Sequence, residues 1–285
     1  MFDLRYHVAS LAAVFIALIV GIVIGVGLSG SGVTKEADLK LARKQRDEYH
    51  AQLDLARRQV AAFQKRGAAF SSVYPMVMRD LLRGKRVAVL WVGAVDGGIQ
   101  RAIDATLADA SSLPAVRTLA VNVPVDPKRL DDALKAQGPK MAAYVGDGKL
   151  GALGSELGAE FVGGGETPLW TALGRQLVDE RSGSMRQPVD GVVVVRTVKP
   201  QAGDTARFLR GLYTGVASGG APAVGVEDTR TTPSAVDLYA DRGLSSVDDI
   251  DLDTGRAALA LLLAGARSGS YGVDAREILP PVPGA

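Results

Sequence analysis

The side chains best suited to catalysis or tight metal binding are scarce in this 285-residue chain. It has no cysteine, which excludes disulfides, zinc–thiolate sites, iron–sulfur clusters and a cysteine nucleophile. The two histidines are His7 and His50, so no Ser-His-Asp triad can form within residues 51–285. The formal net charge of +2 gives no reason to expect binding to nucleic acid. The composition therefore favours a binding protein over an enzyme.

Four acids lie close together between Ser245 and Gly255: Asp248, Asp249, Asp251 and Asp253. Their spacing suggests calcium, but the glycine and the terminal glutamate of an EF-hand loop are missing from their places. We predict instead that Asp253 or Thr254 caps a helix that begins there, with the other acids near its positive end. A partner-facing acidic patch and a metal site are the alternatives.

Three loops follow segments that we predict to be strands, where open α/β sheets bind ligands. They are Val95–Gly98, Gly163–Thr167 and Val226–Thr232. A glycine-rich turn before a helix can bind phosphate through backbone N–H groups. Neither G-x-G-x-x-G nor G-x-x-x-x-G-K-[ST] occurs in them, so we interpret these glycines as turn residues and predict no cofactor.

Short apolar runs alternate with helix-like segments from residue 73 onward. The predicted strands are Arg86–Gly93, Val116–Val123, Met141–Gly146, Glu160–Gly163, Gly191–Val198 and Ala223–Val226. The predicted helices are Gly98–Ala110, Asp126–Gln137, Leu169–Val178, Asp204–Ala217 and Thr254–Gly265. Unbroken valine runs indicate strands buried on both faces, and the alternation indicates a parallel sheet. We predict an α/β fold with a doubly wound, Rossmann- or flavodoxin-like domain over residues 73–285, after a hinge at Gly67–Ser72.

An uncharged segment after a short tail at residues 1–7 predicts a transmembrane anchor helix over residues 8–29. About 20 apolar residues are enough to cross the hydrocarbon core of a bilayer. A cleaved signal peptide and a buried core helix are the alternatives. Small residues recur at every fourth position: Ala13, Ala17, Gly21 and Gly25. This pattern favours close packing of two membrane helices.

Residues 35–66 carry a heptad pattern typical of a coiled coil. The predicted seam consists of Leu39, Ala42, Arg46, Tyr49, Leu53, Ala56, Val60 and Phe63. Its repeat of 3.5 residues keeps one seam facing a second helix, and Arg46 would fix the register. We predict a parallel homodimer through the anchor and the coiled coil. Packing of this stripe on the chain's own globular domain is the alternative.

Two segments resemble the MctB family, the mycobacterial copper transport protein B group. They are LRYHVASLAAVFIALIVGIVIGVGLSG (Leu4–Gly30) and SSVDDIDLDTGRAALALLLAG (Ser245–Gly265), the latter followed by GSYG at Gly269–Gly272. The order of anchor, coiled coil and α/β domain matches as well, whereas residues 85–240 match only in pattern. The resemblance implies a cell-envelope protein with a role in copper efflux or tolerance. A related branch acts with a partner in cell separation, so a division or cell-wall scaffold without a metal role is the alternative. A degenerate enzyme that still holds a small anion is a third.

The residues offer few ligands for the copper that the resemblance implies. Cu(I) prefers thiolate and thioether ligands, and Met76 and Met78 form the only closely spaced methionine pair. They would share a face in a strand, although we favour packing in the domain core. His50 follows the seam residue Tyr49, so two copies could approach each other in a dimer.

The charges that flank the anchor conflict with the orientation that the family implies. Arg5 precedes the anchor, whereas five basic residues follow it: Lys35, Lys40, Arg43, Lys44 and Arg46. The positive-inside rule would place the globular domain in the cytoplasm, but long domains translocate largely regardless of such charges. We follow the resemblance and predict an extracytoplasmic domain whose partners are the membrane, a second copy and another envelope or division protein.

Overall fold

The computed structural model of the protein describes residue 17 and residues 32–282. Apart from residue 17, the predicted tail and anchor at residues 1–29 lie outside the described residues. Among the helices that the structure describes, none is long and apolar enough to cross a membrane. The chain divides into two compact units, Met1–Lys65 and Arg66–Ala285.

The first helix, α1 (Gly32–Met78), is 47 residues long and includes the whole predicted coiled-coil segment. It continues through Gly67–Ser72, so the residues of the predicted hinge are helical. Contacts within the unit Arg66–Ala285 hold the end of this helix. The Tyr74 hydroxyl donates a hydrogen bond to Oδ2 of Asp109 at 2.9 Å, and Met78 is fully buried.

The unit Arg66–Ala285 contains one seven-stranded sheet in the order β3-β2-β1-β4-β5-β6-β7. The strands are β1 (Val87–Val92), β2 (Arg117–Val121), β3 (Val178–Gly183), β4 (Gly191–Arg196), β5 (Ala223–Val226), β6 (Ser245–Val247) and β7 (Ser270–Tyr271). All neighbouring strands pair in parallel except β2 and β3, which pair antiparallel. This topology confirms the predicted mainly parallel α/β fold.

Seven further α-helices are described. They are α2 (Gly97–Asp109), α3 (Pro127–Ala136), α4 (Leu150–Gly163), α5 (Pro168–Leu177), α6 (Gly203–Ala217), α7 (Val236–Ala240) and α8 (Asp253–Leu263). Two 3₁₀ helices span Pro139–Tyr144 and Asp147–Lys149.

The sheet is covered by helices on both faces, because successive side chains of a strand point to opposite sides. Ala88, Leu90 and Val92 of β1 belong to a core that also includes side chains of α3 to α7. Val87, Val89 and Trp91 belong to the other core, with side chains of α2, α8 and the end of α1.

Two predicted strands are wrong. Met141–Gly146 lies mostly in a 3₁₀ helix, and Glu160–Gly163 is the last turn of α4. Strands β3, β6 and β7 are absent from the predicted set. Strand β3 is largely exposed and contains Asp179, Glu180 and Arg181, so it lacks the apolar pattern of a buried strand. Charged residues on an edge strand also discourage pairing with other chains.

Helices α4 and α6 approach each other closely because glycines line their contact. A Cβ atom built on Gly154 of α4 would lie 2.9 Å from the backbone nitrogen of Leu212, and one on Gly158 would lie 2.6 Å from that of Val216. Gly211 and Gly215 of α6 meet backbone atoms of α4 in the same way. Only glycine fits at these positions without moving a helix.

Candidate functional site

The strand order reverses between β1 and β4, which is where open α/β sheets bind ligands. The loops after these strands lie against each other at this point. A Cβ on Gly93 would lie 2.6 Å from Cγ1 of Val198, and Oγ1 of Thr197 donates to the carbonyl of Ala94 at 2.7 Å. The reversal therefore forms a narrow crevice at the carboxyl edge of the sheet.

The loop after β1 places a carboxylate where a dinucleotide-binding fold would place phosphate. Oδ1 of Asp96 accepts hydrogen bonds from the backbone nitrogens of Gly98 at 2.8 Å and Ile99 at 2.9 Å. It thereby caps α2 and takes up two of the amides that an anion would use. The turn interpretation of Val95–Gly98 agrees with this geometry.

The two other loops that were predicted to follow strands, Gly163–Thr167 and Val226–Thr232, lie at different places in the fold. Gly163–Thr167 joins α4 to α5, so its predicted place at the end of a strand is wrong. Val226–Thr232 does follow a strand, β5, and reaches the crevice.

Two buried ionisable residues lie at the ends of β4 and β5. Arg196 is 7% exposed, and its Nη2 donates to the carbonyl of Pro233 at 2.6 Å. Glu227 is 2% exposed and accepts hydrogen bonds from the Ser234 hydroxyl at 2.7 Å and the Ala235 amide. Burial raises the pKa of Glu227, while these hydrogen bonds and the charge of Arg196 act in the opposite direction.

Two neighbouring cavities open at this edge, and both are lined by Arg196 and Lys199. The first has a volume of about 330 Å³ and is also lined by Asp96 and Asp228. The second has a volume of about 360 Å³ and lies between the end of β4, α6 and α7. Arg196 is not among the predicted site residues, although a cation directly after the buried run GVVVV could have indicated it.

The acidic cluster holds loops together. Asp248 accepts from the backbone nitrogens of Val273 and Asp274 at 2.8 and 3.2 Å. Asp251 accepts from the backbone nitrogen and the hydroxyl of Thr229 at 2.9 and 2.8 Å. Among residue 17 and residues 32–282, no group of three or more His, Cys, Asp or Glu side chains could hold a metal ion.

Helix α8 begins at Asp253, one residue before the predicted start at Thr254, and the predicted side-chain cap is wrong. Its N-cap residue is Leu252, and no side chain caps the helix. The hydroxyl of Thr254 instead donates to Oδ2 of Asp249 at 2.8 Å. The polar groups of this segment therefore bond across the turn rather than to the free amides of the helix.

The candidate copper ligands are separated. Met78 is fully buried in the core, as the core interpretation predicts, whereas Met76 is 75% exposed. Both belong to a helix, so positions two residues apart point in nearly opposite directions. The shared face that a strand would provide is absent. His50 is exposed on the same helix.

The predicted dimer seam is described in part. Tyr49 and Leu53 are 71% and 48% exposed, and Arg46 is exposed and donates to Asp47 at 3.1 Å. For five other seam residues, only the backbone is described: Leu39, Ala42, Ala56, Val60 and Phe63. Of the small-residue stripe, Ala13, Gly21 and Gly25 lie outside the described residues, and Ala17 is exposed.

The segments that resemble MctB proteins near the carboxyl terminus form one packed corner. A Cβ on Gly272 would collide with the carboxylate of Asp248, and Gly272 has a φ of 133°, which favours glycine. Oγ of Ser245 accepts from the backbone nitrogen of Gly269 at 3.3 Å. These shared residues therefore build β6, β7 and their connections.

No curated protein matches the chain. The family model described as copper transport outer membrane protein, MctB, matches residues 1–280. This match covers the amino-terminal segment, the long helix and nearly the whole α/β unit. The chain therefore belongs to the MctB family.

Proposed function

We propose that this chain is a single-pass cell-envelope protein that acts in copper homeostasis by binding partners. In this proposal an amino-terminal helix anchors it in the membrane, two copies join in parallel, and the α/β unit lies outside the cytoplasm. The family match supports the copper-related envelope role, since it covers residues 1–280. The uncharged sequence of residues 8–29 supports the anchor.

The proposed dimer rests on the observation that the side chains of Tyr49 and Leu53 are exposed. These two residues lie one helical turn apart on α1, so they form one apolar surface. Fully burying a large apolar side chain stabilises an assembly by about 1.5–3 kcal/mol. Two copies that bury these residues against each other would gain that contribution twice.

The geometry of the crevice supports binding rather than catalysis. The carboxylate of Asp96 is held by two amides of α2, and that of Glu227 by Ser234 and Ala235. Both groups therefore serve the packing of loops and helix ends. A general base needs a free path to the proton that it removes.

If copper binds at the exposed Met76, the separation of Met76 from Met78 makes that binding depend on an assembly. A Cu(I) ion at the exposed Met76 thioether could not also reach the buried Met78 of the same chain. Its further soft ligands would come from another chain.

Deletion of the gene is expected to raise intracellular copper severalfold and to lower survival in copper. Metal content measured by mass spectrometry, with the full-length chain restored as control, tests this result. Unchanged copper content would contradict the copper role. Daughter cells that fail to separate, together with normal copper tolerance, would instead favour a cell-division scaffold.

The Leu53→Asp substitution is expected to weaken dimerisation at least tenfold, because it places a charge in an apolar interface. Leu55→Asp is the matched control, since Leu55 is 59% exposed on the same helix but lies off the predicted seam. Analytical ultracentrifugation of the full-length chain in detergent measures both. Equal effects of the two variants, or a monomeric parent chain, would refute the seam.

A further inference from the structure

We propose that the cavity between β4, α6 and α7 binds a small phosphate ester, with its phosphate among arginine and lysine side chains and its organic group on an apolar wall. This inference does not depend on copper or on dimerisation. It concerns the 360 Å³ cavity and not the neighbouring crevice that Asp96 lines.

The charge of the lining favours an anion. Four basic side chains line the cavity, from the end of β4, the loop after it, α6 and the turn after α7: Arg196, Lys199, Arg210 and Arg242. A single carboxylate, Asp241, lines it as well. Cations that converge on one cavity attract phosphate strongly, and the planar fork of arginine matches phosphate oxygens.

Arg196 gives the cavity a buried, fixed cation. Its hydrogen bond to Pro233 holds the guanidinium in place, and no carboxylate oxygen of the described residues lies within 4.0 Å of it in an ion pair. The buried carboxylate of Glu227 acts on Arg196 only at longer range, and a bound anion would add a counter-ion in direct contact with the guanidinium, which lowers the cost of burying its charge.

Three lining residues carry buried polar atoms without a hydrogen-bond partner in the described part of the chain. They are Nε of Arg196, Nε of Arg242 and the hydroxyl of Tyr213. Native proteins leave few buried polar groups unpaired, so the chain itself does not satisfy all the polar groups around this cavity. These three atoms are closed to solvent, and a bound anion would contact the neighbouring guanidinium nitrogens of Arg196 and Arg242 that line the cavity. A phosphate group offers several acceptor oxygens at once.

Most of the remaining lining is apolar, with Gln201 and Ser234 as the polar exceptions. Leu209 of α6 and Leu238 of α7 line the cavity beside the buried ring of Tyr213. A volume of about 360 Å³ lies at the small end of the range for ligand pockets, about 300–1,000 Å³. The cavity therefore suits a phosphate with a compact organic group.

Calorimetric titration of the full-length chain in detergent tests the proposal with four probes: inorganic phosphate, hexyl phosphate, dihexanoyl phosphatidate and hexanol. Hexyl phosphate is expected to bind more tightly than inorganic phosphate, and hexanol to show no binding. If the phosphatidate binds more tightly than hexyl phosphate, the natural ligand is a lipid headgroup. If the two compounds bind equally, the natural ligand is a soluble phosphate ester.

The double variant Arg210→Gln, Arg242→Gln is expected to weaken binding of hexyl phosphate by about tenfold or more, because it removes two charged donors. Arg101→Gln, on the exposed surface of α2, is expected to leave the affinity unchanged. Circular dichroism establishes that each variant is folded, and Lys199→Gln replaces the double variant if it is not. Absence of ester binding at about 10 mM, equal binding of hexanol, or an unchanged affinity in the variant would overturn the proposal.

Discussion

Alanine at Gly158 is expected to destabilise the α/β unit by about 2–4 kcal/mol, a large share of the roughly 5–15 kcal/mol that stabilises a typical domain. The new Cβ would lie 2.6 Å from the backbone nitrogen of Val216, and it would also meet the carbonyl oxygen of Leu212. Both atoms belong to the rigid backbone of α6, so one helix must move away from the other. That movement would open the core beneath α4 and α6.

The same substitution at Gly174 provides the control, with an effect of opposite sign. Gly174 lies in α5, and an added Cβ there meets nothing within 4 Å. Alanine is favoured over glycine in a helix by about 0.5–1 kcal/mol, so Gly174→Ala is expected to stabilise the unit slightly. Denaturant unfolding followed by the fluorescence of the buried Trp91 and Trp170 measures both. Equal stabilities of the two variants would contradict the close packing of α4 on α6.

Asp249 is expected to contribute a loss of about 2 kcal/mol of unfolding free energy as pH rises from about 4 to about 6. Burial raises the pKa of Asp249 from 3.8 to about 6, against the hydrogen bond from Thr254 and with the help of the charges of Asp248 and Asp251. In this range the folded state holds a proton that the unfolded state has lost. The unfolding free energy therefore decreases by at most about 1.4 kcal/mol for each pH unit.

The Asp249→Asn substitution is expected to remove this contribution, because the amide is neutral at every pH and its oxygen can still accept from Thr254. The loss of unfolding free energy between pH 4 and pH 7 should shrink by about 2 kcal/mol relative to the parent chain. Asp104→Asn, on the exposed side of α2, controls for the removal of a carboxylate in general. A pH dependence that is the same in all three proteins would show that Asp249 is ionised at no cost in the folded state.

The central strands could be predicted because their sequence and their environment agree. Strands β1 and β4 are buried on both faces, and an unbroken valine-rich run is the sequence pattern that indicates such a strand. Helix α6 was predicted over nearly its full length because its apolar positions recur with the helical period. In these elements, the residue types that favour the local secondary structure are also the apolar residues that the core requires.

Helix α4 shows why local pattern fails elsewhere. The sequence predicts its last turn, Glu160–Gly163, as a strand and gives no helix before it. Gly151, Gly154 and Gly158 disfavour a helix locally, yet the close approach of α6 requires two of them. Strand β3 was missed for a related reason. It is held by antiparallel pairing with β2 at the sheet edge, and its polar side chains face solvent.

The sequence by itself determined the family and the mainly parallel α/β class, because family motifs and valine-rich runs are local and can be recognised without knowledge of tertiary contacts. The anchor and the coiled coil stay predictions from the same kind of local pattern. The tertiary structure alone decided the candidate sites. Only the structure shows that Met78 is buried while Met76 is exposed. It also shows that acids of the segment after β6 form hydrogen bonds to neighbouring loops and do not cap a helix. It also brought Arg196, Arg210 and Arg242 to one cavity. These residues are far apart in the chain, and only the order of strands and the packing of helices fixes the distances between them.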